Sequence, residues 1–161
     1  MPGDISFIQR EGASFCDILI EDNDIRRGDT LASAISILLM TDRRVTLEEL
    51  DDANMDTDIF PADRKGWWGD ALREQNIGSK MWLSTSKKRT DKTLREHSEY
   101  ADEALQPLLD SGVVKKVFVL VEWTDEANGV MDMRILCERP DNTATTVRFN
   151  FIWSEIESNG L

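Results

Sequence analysis

Three carboxylates, Asp63, Asp70 and Glu74, stand around two adjacent tryptophans, Trp67 and Trp68. Acid pairs in aromatic-lined clefts are the equipment of glycoside hydrolysis, one group protonating the leaving oxygen while the other attacks or activates water. A sequence reveals neither the separation of two carboxyls nor a raised pKa, so the pattern goes no further than that class of reaction. A chain with 31 acidic residues also places carboxylates beside almost any landmark. Asp70 and Glu74, at helical spacing, read more simply as a solvated face or a helix start, where acids suit the positive end of the dipole.

The other chemically versatile residues are isolated. The single histidine, His97, sits beside Glu96 and Glu99 on a helical pattern, and a lone helical histidine is more often structural than catalytic. Cys16 and Cys137 belong to no Cys-x-x-Cys pair or Cys/His cluster, so neither zinc nor a disulfide framework is expected, and Cys137 reads as a small core residue. Phosphate-loop, dinucleotide and zinc-protease motifs are missing. The expectation is a protein without cofactor, metal or catalytic group.

Arg43, Arg44, Arg64, Trp67, Trp68 and Asp70 make a better case as contact residues. Arg43 and Arg44 follow an apolar helix, where cations suit the carboxyl end and also offer bidentate contacts to carboxylates or carbonyls. Adjacent side chains diverge in a strand and in a helix, so Trp67 and Trp68 cannot both enter one core from regular structure. Gly66 and Gly69 predict a turn, in which at least one ring packs on a neighbour or waits for a partner. The plainer alternative is a loop that covers the protein's own core. Lys80, Lys87, Lys88, Arg89 and Lys92 form the one basic cluster, either a solvated loop or a docking surface for an acidic partner.

These residues need elements to position them. Asp4–Ile8 and Phe15–Ile20 predict a short hairpin or ribbon around Glu11-Gly12, followed by a polar loop from Glu21 to Gly28. Asp29 or Thr30 caps a core helix on which Leu31, Ala34, Ile35, Leu38 and Leu39 recur. The acidic stretch from Glu48 to Asp58 reads as a surface excursion, with one helical turn over Leu47–Leu50 and the tryptophan loop at its far end. A second helix starts near Thr90 or Asp91 and extends to Asp110, with Pro107 expected to kink it or end it near Gln106. Lys116–Trp123, Val130–Cys137 and Thr146–Trp153 alternate as strands around turns at Asp125–Gly129 and Pro140–Asn142. The fold class is therefore α+β, an antiparallel β-meander packed with about two main helices, in one domain spanning residues 1–161 with no internal repeat.

A net charge of −12 argues against a chain that grips nucleic-acid phosphates. Neither a secretory leader nor a bilayer-length apolar segment is seen, which predicts synthesis in a reducing cytoplasm and no membrane partner.

The order Leu38-Leu39-Met40-Thr41-Asp42-Arg43-Arg44, an acidic gap, Asp63-Arg64-Lys65-Gly66-Trp67-Trp68-Gly69-Asp70, then Gly78-Ser79-Lys80-Met81-Trp82-Leu83 resembles the Mu-like phage baseplate protein family. Tyr100–Leu105, Asp110–Val113 and the closing strands fit the same pattern. That family is similar in turn to the small, lysozyme-like wedge protein of T4-like baseplates and its type VI secretion counterpart. Those relatives carry Leu-Leu-x-Thr, then Gly-Glu-Arg, then Pro-x-Phe-Gly. Here Leu38–Thr41 matches, Arg43 or Arg44 stands for the arginine without the Gly-Glu, and the loop becomes Gly66-Trp67-Trp68-Gly69.

The resemblance implies a structural subunit of a contractile tail, located in the virion baseplate and repeated with sixfold symmetry. Its implied partners are the other wedge proteins and the tail sheath. On that basis Arg43, Arg44, Arg64, Trp67, Trp68 and Asp70 face the wedge bundle. The Cys137 strand or the final strand, Thr146, Val147, Arg148, Phe149, Asn150, Phe151, Ile152 and Trp153, joins a sheath sheet by main-chain hydrogen bonds. The competing readings are a cell-wall glycosidase using the acids near the tryptophans and a soluble adaptor, since the related fold also occurs in a bacterial anti-adaptor.

Overall fold

A computed structural model describes residues 4–9, 16–53, 64–72, 76–84, 89–125, 127 and 129–152. The chain opens with six short strands, β1 (Asp4–Ile5), β2 (Phe7–Gln9), β3 (Cys16–Ile18), β4 (Ile20–Glu21), β5 (Asp24–Ile25) and β6 (Arg27–Gly28). They pair as three antiparallel arms, β1 with β6, β2 with β3 and β4 with β5. The arms meet at Ser6, Leu19 and Arg26, whose backbones bond in a closed cycle. Ser6 N–H donates to Arg26, Arg26 N–H to Leu19 and Leu19 N–H to Ser6, each at 2.9 Å. An Asp-Ile pair precedes each junction residue, and in each pair the aspartate accepts the isoleucine amide at 2.8 Å.

One expectation is corrected here: Glu21–Gly28 is not a loop, since β4 and β5 form the third arm of the ribbon and Arg27–Gly28 pairs with β1. Asp22 and Asn23 have φ of 51° and 64°, as a two-residue hairpin turn needs to match strand twist, and Asp and Asn accept that region more readily than most residues. The polar side chains concealed the pairing.

The helix α1 (Thr30–Met40) begins at Asp29, whose carboxylate accepts the Leu31 amide. The short α2 (Leu47–Asp52) is started by a capping box in which Thr46 and Glu49 exchange side-chain and backbone bonds. The helix α3 (Asp91–Asp110) is capped by Thr90 and passes through Pro107 to Asp110 instead of stopping near Gln106. Pro107 lies in the last turn, so its missing donor affects only the helix end. Leu105 is buried and Leu108 and Leu109 pack on the core, which holds that turn in place.

The strands β7 (Lys116–Asp125), β8 (Val130–Glu138) and β9 (Ala144–Ile152) form an antiparallel sheet in the order β7-β8-β9. Met133, Ile135 and Cys137 of β8 and Phe149 of β9 are buried against Leu31, Ile35, Leu39, Ala101 and Leu105 of the helices. The fold is the expected α+β meander, with α1 and α3 as its main helices. Because β8 pairs along its length with both neighbours, the Cys137 strand has no open edge and cannot take an added strand. Trp153 lies outside the described residues.

Candidate functional site

Three segments distant in sequence converge beyond the end of α1. Thr41–Val45 leaves the helix, and Ser79 lies alongside it, donating its amide to Thr41 O at 2.8 Å and accepting the Arg43 amide at 2.9 Å. The Val45 amide reaches Arg64 O at 3.2 Å, which places the start of the tryptophan loop on the other side. Beneath them Val45, Leu50, Ala53, Trp82 and Leu83 make a second small core, and the Trp82 indole donates to Arg43 O at 3.0 Å. The three motifs that carry the family resemblance are thus one structural unit.

The cations around it have distinct tasks. Arg43 pairs with Glu103 of α3 at 3.1 Å. Lys80 spans Glu49 at 2.7 Å and Glu103 at 3.0 Å, tying α2 to α3. Desolvation works against the charge on both Lys80 and Glu49, but their mutual bond and the other partners prevail, so Lys80 is raised and Glu49 lowered from their usual values. Arg89 donates to Ala127 O and Lys92 pairs with Glu96, while Lys87 and Lys88 lie outside the described residues. Lys80, Arg89 and Lys92 thus each have a partner within the chain. Lys65, which the sequence did not mark, takes φ of 43°, bonds Asp42 at 2.7 Å and lies 5.0 Å from the Trp82 ring centroid. Arg44 is exposed and Arg64 half-buried.

The tryptophans separate as their adjacency requires. Gly66 has φ of 122° and turns the chain. Trp67 folds back over Gly69 so closely that a Cβ there would lie 2.0 Å from the ring. Trp68 starts a 3-10 helix, Trp68–Leu72, and is 79% exposed; Leu72 at its other end is 83% exposed. Leu72 was missed, although an apolar residue in a polar stretch was a usable signal. The ring centroids of Trp67 and Trp68 are 5.1 Å apart.

Asp70 accepts the Ile77 amide at 3.1 Å and so closes its own loop. Asp63 and Glu74, the other two acids of the glycosidase reading, lie outside the described residues. Among the described residues no group of His, Cys, Asp and Glu side chains is placed to hold a metal ion. His97 is buried, shares a 2.9 Å hydrogen bond with Ser84 and meets Phe151 edge-on. Burial pushes its pKa down to about 3, so it is neutral at pH 7.

On β9, Val147, Phe149 and Phe151 pack toward the core, while Thr146, Arg148 and Asn150 lie on the opposite face. Arg148 and its cross-strand partner Arg134 both donate Nε–H to the buried Asp132, at 2.6 and 3.0 Å, and Arg134 also pairs with Glu122. The shared carboxylate offsets what would otherwise be a repelling pair. The Asn150 amide is taken by the Gln9 side chain at 2.7 Å. Among the described residues no helix is long and apolar enough to cross a membrane.

The fold and site define an α+β domain with an exposed tryptophan and an exposed leucine at the two ends of a short 3-10 helix. The chain belongs to the family described as phage protein GP46, whose model matches residues 31–144. It is 33% identical over 149 residues to the baseplate protein gp46 of Escherichia phage Mu, covering 91% of this chain and 94% of that protein. It is 31% identical over 139 residues to the Mu-like prophage FluMu protein gp46 of Haemophilus influenzae, covering 86% and 90%. The resemblance to Mu-like phage baseplate proteins is borne out.

Proposed function

We propose that this chain is a structural, non-enzymatic subunit of a contractile-tail baseplate, made in the host cytoplasm as a single domain over residues 1–161 and carried in the virion. The name of the Mu relative supports the baseplate role. The finer reading is an inner wedge subunit, repeated with sixfold symmetry, that contacts the wedge bundle through Arg43, Arg44, Arg64, Trp67, Trp68 and Asp70. Its final strand, from Thr146 onward, receives the tail sheath. Nucleic acid, membrane and cofactor have no part in this reading.

The observation that carries the wedge contact is the exposure of Trp68 and Leu72 on a loop whose base is fastened to two other segments. A large exposed indole on a fixed support has the chemistry of an interface hot spot. Trp67, Arg43 and Asp70 shape this face through their contacts within the chain, whereas Trp68, Leu72 and Arg44 are its outward parts.

The test is co-purification of the chain with the other baseplate proteins. Trp68→Ala combined with Leu72→Ala is expected to weaken the complex about thirtyfold, equivalent to ~2 kcal/mol, while circular dichroism and melting of the free chain stay unchanged. Undiminished co-purification would reject the wedge face. Replacing Trp67 as well is a poorer test, because that ring packs on its own backbone.

A further inference from the structure

Lys65 stands at the entry to the tryptophan loop with a backbone that its side chain does not favour. Its φ is 43°, and the next residue, Gly66, has φ of 122°. A long side chain rarely adopts the left-handed region, and such backbone persists where surrounding contacts over-determine it. Two contacts do so here. Lys65 Nζ–H donates to Asp42 Oδ2 at 2.7 Å, and the same ammonium lies 5.0 Å from the centre of the Trp82 ring.

Both receivers belong to firmly held parts of the molecule. Asp42 bridges Ser79, between the backbone bonds that Thr41 and Arg43 make with it. Trp82 is buried in the second small core and donates its indole N–H to Arg43 O at 3.0 Å. Asp70 by contrast closes the loop on itself, and Trp67 lies on Gly69. Lys65 thus joins the loop to the Thr41–Val45 segment one residue before the turn. Gly66 passes so near that segment that a Cβ on it would come within 2.8 Å of Arg44 Cβ. Trp68 follows two residues on and starts the 3-10 helix. The direction in which the chain leaves Lys65 therefore sets where the exposed Trp68 and Leu72 side chains stand.

We infer that Lys65 is a positioning residue: its ammonium, held between Asp42 and the Trp82 ring, locks the left-handed turn that presents Trp68 and Leu72. The inference rests on the wedge-face reading for the purpose of that presentation. The side chains of Lys65 and Asp42 are 38% and 44% exposed, so the pair adds little to the stability of the domain. Its effect falls on the order of the loop and, through preorganisation, on binding.

Fluorine NMR of the full chain labelled with fluorotryptophan tests the positioning in the free protein. The line of Trp68 is assigned by its loss in Trp68→Phe. Lys65→Met keeps the side-chain length and the backbone cost but removes the charge. The Trp68 line should then shift or broaden, while the melting temperature stays within a few degrees of the parent. Lys65→Arg keeps a cation for Asp42 and the ring and should restore the line. Asp42→Asn should reproduce the Lys65→Met change, and combining the two should add little, as for partners in one contact. In co-purification with the other baseplate proteins, Lys65→Met should lower the yield about fivefold and Lys65→Arg should not. An unmoved Trp68 line in Lys65→Met overturns the inference, as does an arginine variant that behaves like the methionine one. So does full co-purification of Lys65→Met where Trp68→Ala with Leu72→Ala loses it. If that double variant co-purifies undiminished, it is the wedge face that falls, and the NMR result alone decides the role of Lys65.

Discussion

His97 stays neutral because burial removes the water that an imidazolium needs, and its pKa falls to about 3 from 6.5. Between those values the unfolded chain binds a proton that the folded chain refuses, so stability declines as pH falls from about 6.5 toward 3. At pH 5.5 the loss from this group is about 1.4 kcal/mol relative to pH 7.5. The His97→Gln variant, compared with the parent by urea unfolding at both pH values, is expected to lose that much less on acidification, whatever its stability at pH 7.5. Equal losses would assign the acid sensitivity to other groups. The thiols take no part, since burial raises Cys137 and pushes Cys16 up to about 11, leaving little thiolate at neutral pH. At this scale the divergence of Trp67 and Trp68 was legible, because neighbouring side chains part in any regular structure. Which ring stays in water was not, because that depends on Trp67 lying where a Cβ of residue 69 would be. The partners of Lys80 were illegible for a similar reason, since Glu49 and Glu103 come from two other elements.

Asp29 joins elements that are far apart in the chain. It caps α1, and it also accepts bonds from Arg139 in the β8–β9 turn at 2.5 Å and Thr145 of β9 at 2.6 Å. Desolvation pushes its carboxyl up, but the bonds from Thr145, Arg139 and the Leu31 amide outweigh it and hold the pKa below the usual value. Asp29→Ala removes cap and tether together and should cost about 2 kcal/mol. In a domain of this size that lowers the melting temperature by roughly 6 °C. Asp29→Asn keeps a competent cap and loses the charge, so calorimetry should place it between the parent and Asp29→Ala. An alanine variant that melts with the parent would show the tether to be idle. The cap itself was legible, as were α1, α3 and the three long strands, because their apolar spacing is repeated over several turns or pleats. The β4–β5 arm was not legible, since Glu21, Asp22, Asn23 and Asp24 carry no periodic apolar signal and the arm is specified by backbone turn geometry. Pro107 misled in the opposite sense, because the rule for interior proline weakens where only the last helical turn is affected.

For the molecule as a whole, the sheet order, which the predicted meander already implied, decides how a sheath strand could be received. With β8 in the middle, strand addition is confined to β7 or β9. On β9 the parity of the backbone can be read from Asn150, whose amide turns away from β8 to reach Gln9. Residues two and four positions earlier share that parity, so the amides of Arg148 and Thr146 also point to the outer edge, while Val147 and Phe149 face the β8 ladder. This allows the proposed sheath contact to be broken without breaking the monomer. Thr146→Pro deletes one outward donor and leaves the β8 ladder its bonds, and an edge strand tolerates proline at such a position. Val147→Pro deletes a ladder bond and serves as the destabilising contrast. The expected outcome for Thr146→Pro is a chain that melts within a few degrees of the parent and enters baseplates, yet yields particles whose tails lack sheath by electron microscopy. Sheathed tails from that variant would show that the β9 edge is not the acceptor, and would direct the same experiment to β7, whose outer edge is the other one the sheet leaves unpaired.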